Sequence, residues 1–167
     1  KALNDKPAMI RLKMNSLSDY KMIDKLYDAS RAGVKVQLIV RGICCLIPGV
    51  PGMSDNIEAI SIVDNLLEHS RIYIFGVDEE AQVFISSADF MTRNIDERVE
   101  VTCPIYDNDI KQELIDTFTI YWTGNIKVRL HSERLENRYR RLGEERFQAQ
   151  TELYKYYQNK IDVIVEA

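Results

Sequence analysis

The chain has 167 residues, 46% of them apolar and 29% charged, which is enough apolar mass for one domain with its own core. Its 22 basic and 26 acidic residues give a net charge of −4, which argues against a non-specific binder of nucleic acid or of an acidic membrane surface. No apolar stretch approaches the roughly 20 residues that a membrane span needs, so a soluble globular domain is expected.

The first forty residues predict a βαβ unit. Apolar and polar residues alternate over 8–14, as in a strand with one buried face. A helix follows, capped by Ser18 and stopped by Gly33, and a β-branched run over 34–40 is typical of a strand covered on both faces. A right-handed βαβ unit implies a parallel pair of strands and therefore an α/β fold.

The remainder of the chain predicts further strands around a second helix. We expect strands at residues 57–63, 72–75, 83–85, 99–103 and 126–130. The turn over 76–80 makes 72–75 and 83–85 a hairpin, and Pro104 closes the strand that precedes it. The helix begins at a cap on Asp107 or Asn108 and stops at Gly124.

The last part of the chain is interpreted as a tail. Residues 131–147 are too rich in Arg and Glu to bury much surface, and the remainder is expected to pack back on the domain or on a missing part. We therefore divide the chain into a domain over 1–130 and a tail over 131–167. Because the chain begins at Lys1 without an export signal, we expect a fragment of a longer, cytoplasmic protein.

The cysteines point to a reducing compartment. Their number is odd and Cys44 is adjacent to Cys45, so a disulfide framework is not expected. No Cys-x-x-Cys spacing suggests zinc, and we expect all three thiols, including Cys103, to be small buried hydrophobes.

Polar side chains converge on one edge of the predicted sheet. Ligands of open α/β sheets bind beyond the carboxyl ends of the strands, where Asn15 and Arg41 lie. The hairpin places the start of its first strand beside the end of its second, and Arg41 joins them if that second strand runs parallel to 34–40. The residues that meet in this way are His69, Arg71, Ser86, Ser87, Asp89 and Arg93.

This set of side chains suits phosphate chemistry. Guanidinium groups form bidentate bonds to phosphate oxygens, and an imidazole such as His69 can move a proton or carry a phosphoryl group. We expect Asp89 to orient that imidazole.

Each residue also has a structural alternative. His69 could be a satisfied structural side chain, and Arg41 could pair with Asp55 or Glu58. The serines and Asp89 could be turn and helix-cap residues. We expect His131 to lie on the surface, and the Arg-rich run from Arg134 to Arg146 to form a solvated face with its Glu neighbours, Glu144 among them.

Three stretches of the sequence resemble one family closely. They are Arg41–Leu46 with Pro48–Gly52, Leu67–Tyr73, and Ile85–Asn94 with Arg98–Val101. Together they resemble the C-terminal domain of the bacterial polyphosphate kinases that work through a phosphohistidine. The resemblance spans residues 8 to 105, with a weaker part from Glu144 to Tyr154.

The resemblance implies a phospholipase D-like mixed sheet flanked by helices, in an enzyme that reversibly transfers the terminal phosphate of ATP to inorganic polyphosphate. It implies that His69 and Arg41 contact the ATP phosphates, with His69 as candidate acid or base. The phosphohistidine and most of the magnesium ligands would lie in the upstream domains, with no metal ligand in this chain. From the edge argument we add Asn15, Arg71, Ser87, Asp89 and Arg93 as phosphate-binding residues.

The resemblance also implies certain partners. They are ATP or ADP, polyphosphate, the upstream domains and further copies of the same chain, with peripheral membrane association and without nucleic acid. A phospholipase D-like phosphodiesterase or nuclease is the second hypothesis, although Arg71 and Gly76 stand where that pattern has Lys and Asp. The third is a docking and nucleotide-binding module that is inactive alone.

Overall fold

A mixed sheet with helices on both faces forms the centre of the molecule. The computed structural model describes Ala2 and residues 6–134, 136–141, 143 and 145–166. The strands are β1 Met9–Met14, β2 Lys35–Val40, β3 Ile57–Ile62, β4 Ile72–Phe75, β5 Gln82–Ser86, β6 Thr102–Ile105 and β7 Val128–Leu130. They form one seven-stranded sheet in the order β6-β5-β4-β1-β2-β3-β7. Strands β1, β2 and β3 are parallel and the other pairs antiparallel, which confirms the predicted α/β class with a mixed sheet.

Helices cover the two faces of the sheet separately. Helix α1, Tyr20–Arg31, packs its buried Ile23 and Leu26 into a core with β1 and β2. Helix α2, Asn108–Thr123, packs on the opposite face, where Phe118 is buried against β3, β4 and β5. Central parallel strands need cover on both faces, so the sheet has two cores.

The ends of the helices differ slightly from the sequence prediction. Asp19, and not Ser18, caps α1, since its carboxylate accepts the Met22 N–H at 3.0 Å. The predicted stop at Gly33 is confirmed by its left-handed φ of 85°. Asp107 caps α2 as expected, by accepting two amide N–H groups.

The hairpin of β4 and β5 is confirmed, and β6 pairs with its outer side. The predicted strand at 99–103 was placed too early, because Pro104 lies within β6 opposite Phe84 instead of closing it. Proline is tolerated there because β6 is an edge strand and needs no amide donor on its open side.

The segment after β7 adds to the fold. Tyr139 forms a bridge with Arg129 of β7, so the chain continues the sheet beyond its last strand. Helix α3, Ala149–Glu166, then packs on α2, with Ala149 buried in the same core. No helix was predicted there, and Glu144 lies outside the described residues. No helix in the described ranges is long and apolar enough to cross a membrane.

The cysteines are less buried than predicted. Cys44 is half-buried and burial raises its pKa to about 11, whereas Cys45 and Cys103 are exposed. The prediction was wrong for those two because Cys45 lies in the loop that leaves the sheet and Cys103 lies in the edge strand. All three are free thiols.

Candidate functional site at one edge of the sheet

The predicted site residues share one edge of the sheet. Strands β1, β2 and β5 run in one direction and end at this edge, and β4 begins there because it is antiparallel to both β1 and β5. The condition for Arg41 to join the hairpin residues is therefore met. The residues at these strand ends are Asn15, Arg41, His69, Arg71, Ser87 and Asp89.

An ion pair between Arg71 and Asp89, here named the clasp, lies in the middle of this edge. Arg71 donates from Nε to Asp89 Oδ1 at 3.1 Å and from Nη2 to Oδ2 at 3.0 Å. The two side chains are only 12% and 9% exposed. Asp89 also accepts the Asn15 N–H at 2.7 Å, which ties the ends of β1 and β5 together.

The same clasp fixes the backbone of His69. Arg71 Nη1 donates to the His69 carbonyl at 3.0 Å. Burial alone would raise the pKa of Asp89, but the hydrogen bonds from Arg71 and Asn15 hold it below its usual value. Asp89 thus orients Arg71, and no hydrogen bond joins it to the His69 ring in the described part of the chain.

A buried lysine supports the other side of His69. Lys13 is 3% exposed, and its Nζ donates to Ser70 Oγ at 2.7 Å and lies 3.5 Å from Glu68 Oε2. It also lies 4.9 Å from the ring centre of Tyr121 in α2. Burial lowers the pKa of Lys13, with Glu68 opposing that shift. Both chain neighbours of His69 are therefore held by one cation that the sequence analysis missed.

Arg41 and His69 have side chains without a bonded partner in the described part of the chain. Within the described ranges, neither the Arg41 guanidinium nor the His69 imidazole has a hydrogen bond or ion pair. The alternative partner Asp55 instead accepts the Gly52 N–H at 2.6 Å. The Arg41 backbone is fixed, because Ser61 Oγ donates to its carbonyl at 3.0 Å. The backbone of Arg41 is therefore held while its side chain stays unpaired among the described residues.

Three further predicted residues, Ser87, Asn15 and Arg93, differ in how accessible their polar groups are. Ser87 donates to Glu100 and accepts the Val101 N–H at 3.0 Å, so its hydroxyl is already engaged. Asn15 is 5% exposed, and both atoms of its amide are buried without a partner among the described residues. Arg93 is exposed in a π-helical turn, Arg93–Glu97. Phosphate contact by these side chains stays a prediction.

His131 is half-buried, so its predicted place on the surface is wrong. The backbone N–H of His131 donates to the Ala59 carbonyl at 3.0 Å. This bond continues the pairing of β7 with β3 and draws the His131 ring inward. Burial lowers the pKa of the imidazole, which hydrogen-bonds the Val40 backbone. Arg140 also departs from the predicted solvated face, since its guanidinium lies 5.0 Å from the Trp122 ring centre.

The three carboxylates near this edge are already bonded within the chain. Asp89 and Glu68 are engaged by Arg71 and Lys13, and Glu100 accepts from Ser87 and Asn94. No group of three His, Cys, Asp or Glu side chains in the described part of the chain could hold a metal.

The comparisons with known proteins decide the family. The model of "Polyphosphate kinase C-terminal domain 2" matches residues 1–150. The chain belongs to the polyphosphate kinase family. The polyphosphate kinase of Vibrio cholerae is 48% identical over 155 residues, and that of Salmonella typhimurium 50% over 151. These matches cover 92% and 90% of this chain but 22% of each relative, so the chain spans about a fifth of their length.

Solved structures agree with the resemblance. The crystal structure of polyphosphate kinase from Porphyromonas gingivalis matches 96% of this chain and 25% of its own, with a TM-score of 0.92 and 43% identity. A phospholipase D family member, Nuc from Salmonella typhimurium, covers 79% of this chain and 87% of its own, with a TM-score of 0.57 and 13% identity. The second likeness shows the fold alone and confirms the phospholipase D-like sheet.

The phosphodiesterase hypothesis gains no support from the site. Gly76 stands where the phospholipase D pattern has Asp, and it provides no carboxylate. It lies at the opposite end of β4 from His69, with a left-handed φ of 103° and its N–H bonded to the Met9 carbonyl.

Proposed function

We propose that this chain is the C-terminal part of a longer polyphosphate kinase and that its sheet edge binds the phosphates of ATP during transfer to polyphosphate. The observation that carries the proposal is that the side chains of Arg41 and His69, both at this edge, have no partner among the described residues, while their backbone carbonyls and the neighbouring Ser70 are bonded. A rigid frame with unpaired groups is pre-organised for a charged ligand.

Arg41 supplies charge in this proposal. Its guanidinium can bond two oxygens of one phosphate, and it offsets the negative charge that spreads over the transferring group. Arg71 and Lys13 lie close by, since the charges of Arg41 and Arg71 both act on Lys13. Their own donors are used by Asp89, Ser70 and the His69 carbonyl.

His69 donates a proton, and takes it back in the reverse reaction, in this proposal. Transfer breaks the bond between the γ-phosphorus and the bridging oxygen, and the ADP oxygen that leaves gains charge. An imidazole proton shared with that oxygen eases its departure, and the same group takes the proton back when ATP re-forms. The phosphoryl group passes to a histidine nitrogen in another domain and then to a terminal oxygen of polyphosphate.

The magnesium ion that accompanies ATP is assigned to other parts of the enzyme in this proposal. We infer that Mg²⁺ enters with ATP and is held by the rest of the enzyme, because the nearby carboxylates are bonded to cations or amides. The positive groups of this chain then face the side of the nucleotide away from the metal.

Labelling with γ-³²P-ATP tests whether the phosphohistidine lies outside this chain. We expect the full-length enzyme to carry acid-labile label on a histidine outside this chain, and the 167-residue chain alone to carry none and to make no polyphosphate. Proteolysis of the labelled full-length enzyme, followed by mass spectrometry, locates the phosphate. Label on His69 or His131, in either protein, would contradict the proposal.

A further inference from the structure

A groove of about 660 Å³ opens beside Arg41, between the loop after β2 and the segment after β7. It is here named the β7 groove, and its wall includes Gly42, Ser61, Lys127, Arg129, Ser132 and Tyr139. No Asp or Glu side chain is found among its described lining residues, although the chain carries 26 acidic residues. Because its described lining has cations and hydroxyls but no carboxylate, the groove is suited to an anion.

Lys127 presents its charge at the mouth of the groove. Its side chain is 47% exposed, whereas the carboxylate of Asp64, 3.1 Å from Nζ, is fully buried. Asn65 Oδ1 accepts from the same Nζ at 2.9 Å. The Lys127 ammonium is thus held by Asp64 and Asn65 and stays partly open to solvent.

Arg129 presents a fixed guanidinium in the wall. Its Cζ lies 3.3 Å from the ring centre of Tyr139, and Nη1 donates to the Asn137 carbonyl at 2.7 Å. A guanidinium has five N–H donors, so most remain for a ligand. Stacking on an aromatic ring orients the group and reduces the entropy lost when it binds a phosphate.

The backbone of the groove is strained at Lys127. Its φ of 56° lies in the left-handed region, where a lysine has no compensating side-chain advantage. Such strain persists when the surrounding structure holds it and is concentrated at functional sites. On the other side of the groove Asn137 also has a left-handed φ, of 51°.

The groove adjoins the strand end that carries Arg41. Gly42 directly follows Arg41, and Ser61 in the groove wall donates to the Arg41 carbonyl at 3.0 Å. We propose that the β7 groove binds phosphates of the polyphosphate chain that lie beyond the reacting one, through Lys127 and Arg129. This inference rests on the proposed function, because it assigns the path of that reaction's acceptor.

Chain-length dependence tests the groove in the full-length enzyme. The variant Lys127→Asn/Arg129→Gln removes both charges, and Asn also suits the left-handed backbone at 127. We expect KM for polyphosphate of about one hundred units to rise about tenfold, while KM for ATP and for tripolyphosphate stay within about twofold. The slope of log KM against log salt should fall by about one to two.

The control variant is Lys6→Ala/Lys111→Ala, which removes two cations at the opposite edge of the sheet, beside Asp78 and Glu79. The single variant Arg129→Gln, which keeps the pair between Lys127 and the buried Asp64, is a second test if the double variant unfolds on thermal melting, and we expect about a threefold rise in KM for the long chain. Unchanged KM for long chains would overturn the inference, as would an equal rise for tripolyphosphate or equal competition by single-stranded DNA.

The wild-type enzyme separates the two proposals. If it makes polyphosphate from ATP and the groove variants match it at every chain length, only the groove assignment fails. If the wild-type enzyme makes none, the proposed function fails and the groove assignment fails with it.

Discussion

Replacing Arg41 with alanine in the full-length enzyme is expected to lower kcat/KM for ATP by about 100- to 1000-fold. The Arg41 guanidinium has no partner in the described structure, so its loss leaves the fold intact and removes only what it gives to the ligand. A donor that meets the charge of the transferring phosphate contributes mainly in the transition state, so kcat should fall more than ATP affinity. Steady-state kinetics with ATP as the varied substrate measure both quantities.

The variant Arg41→Lys distinguishes charge from geometry, because a lysine keeps the charge but cannot bond two phosphate oxygens at once. We expect it to recover only part of the lost rate. Arg31→Ala is the matched control, since Arg31 forms a surface pair with Asp28 at the end of α1. A wild-type rate in Arg41→Ala would rule out phosphate contact by this residue.

The variant Asp89→Ala is expected to cost about 3–5 kcal/mol of the free energy of unfolding. It leaves the Arg71 guanidinium, 12% exposed, without its bidentate partner, and it removes the acceptor of the Asn15 N–H. Because Arg71 also holds the His69 carbonyl, activity should fall even at temperatures where the variant stays folded. Denaturant unfolding monitored by circular dichroism measures the loss.

The pH dependence provides an independent check on Asp89. Its folded pKa lies below the ordinary value of 3.8, so the folded state binds fewer protons than the unfolded state in that range. The stabilisation is therefore complete above pH 3.8 and is lost as pH falls through the lower, folded pKa. The alanine variant should lack this loss, whereas Asp55→Ala, at an exposed turn, should keep it. Equal stability of Asp89→Ala and wild type at neutral pH would contradict the clasp.

Much of the fold could be predicted because its signals are local. The hairpin, the first βαβ unit and the cap at Asp107 each depend on residues close in sequence, and all three are present. Helix α3 was missed because its contacts with α2 join residues far apart in sequence, such as Tyr156 with Asp116 and Tyr157 with Thr117. The strand at Pro104 was misplaced because its edge position depends on the whole sheet.

The residues that share this edge could be predicted from the sequence, but their hydrogen-bond partners could not. The rule for strand ends brought Arg41, His69 and Asp89 to one edge, but the partner of Asp89 is decided by side-chain geometry, which no spacing reveals. Lys13 was missed for a related reason. In sequence it stands on the polar side of an alternating strand, yet α2 covers that side and buries the ammonium.

The transfer rate in a His69→Ala full-length enzyme is the most direct test of the proposed role of this edge. Rapid-quench measurement of phosphoryl transfer from ATP should show a rate lowered by about 100-fold or more. ATP binding, measured separately by calorimetry, should weaken by less than about tenfold, because Arg41 remains. Transfer at the wild-type rate in this variant would show that the sheet edge is not the place where the phosphate of ATP reacts.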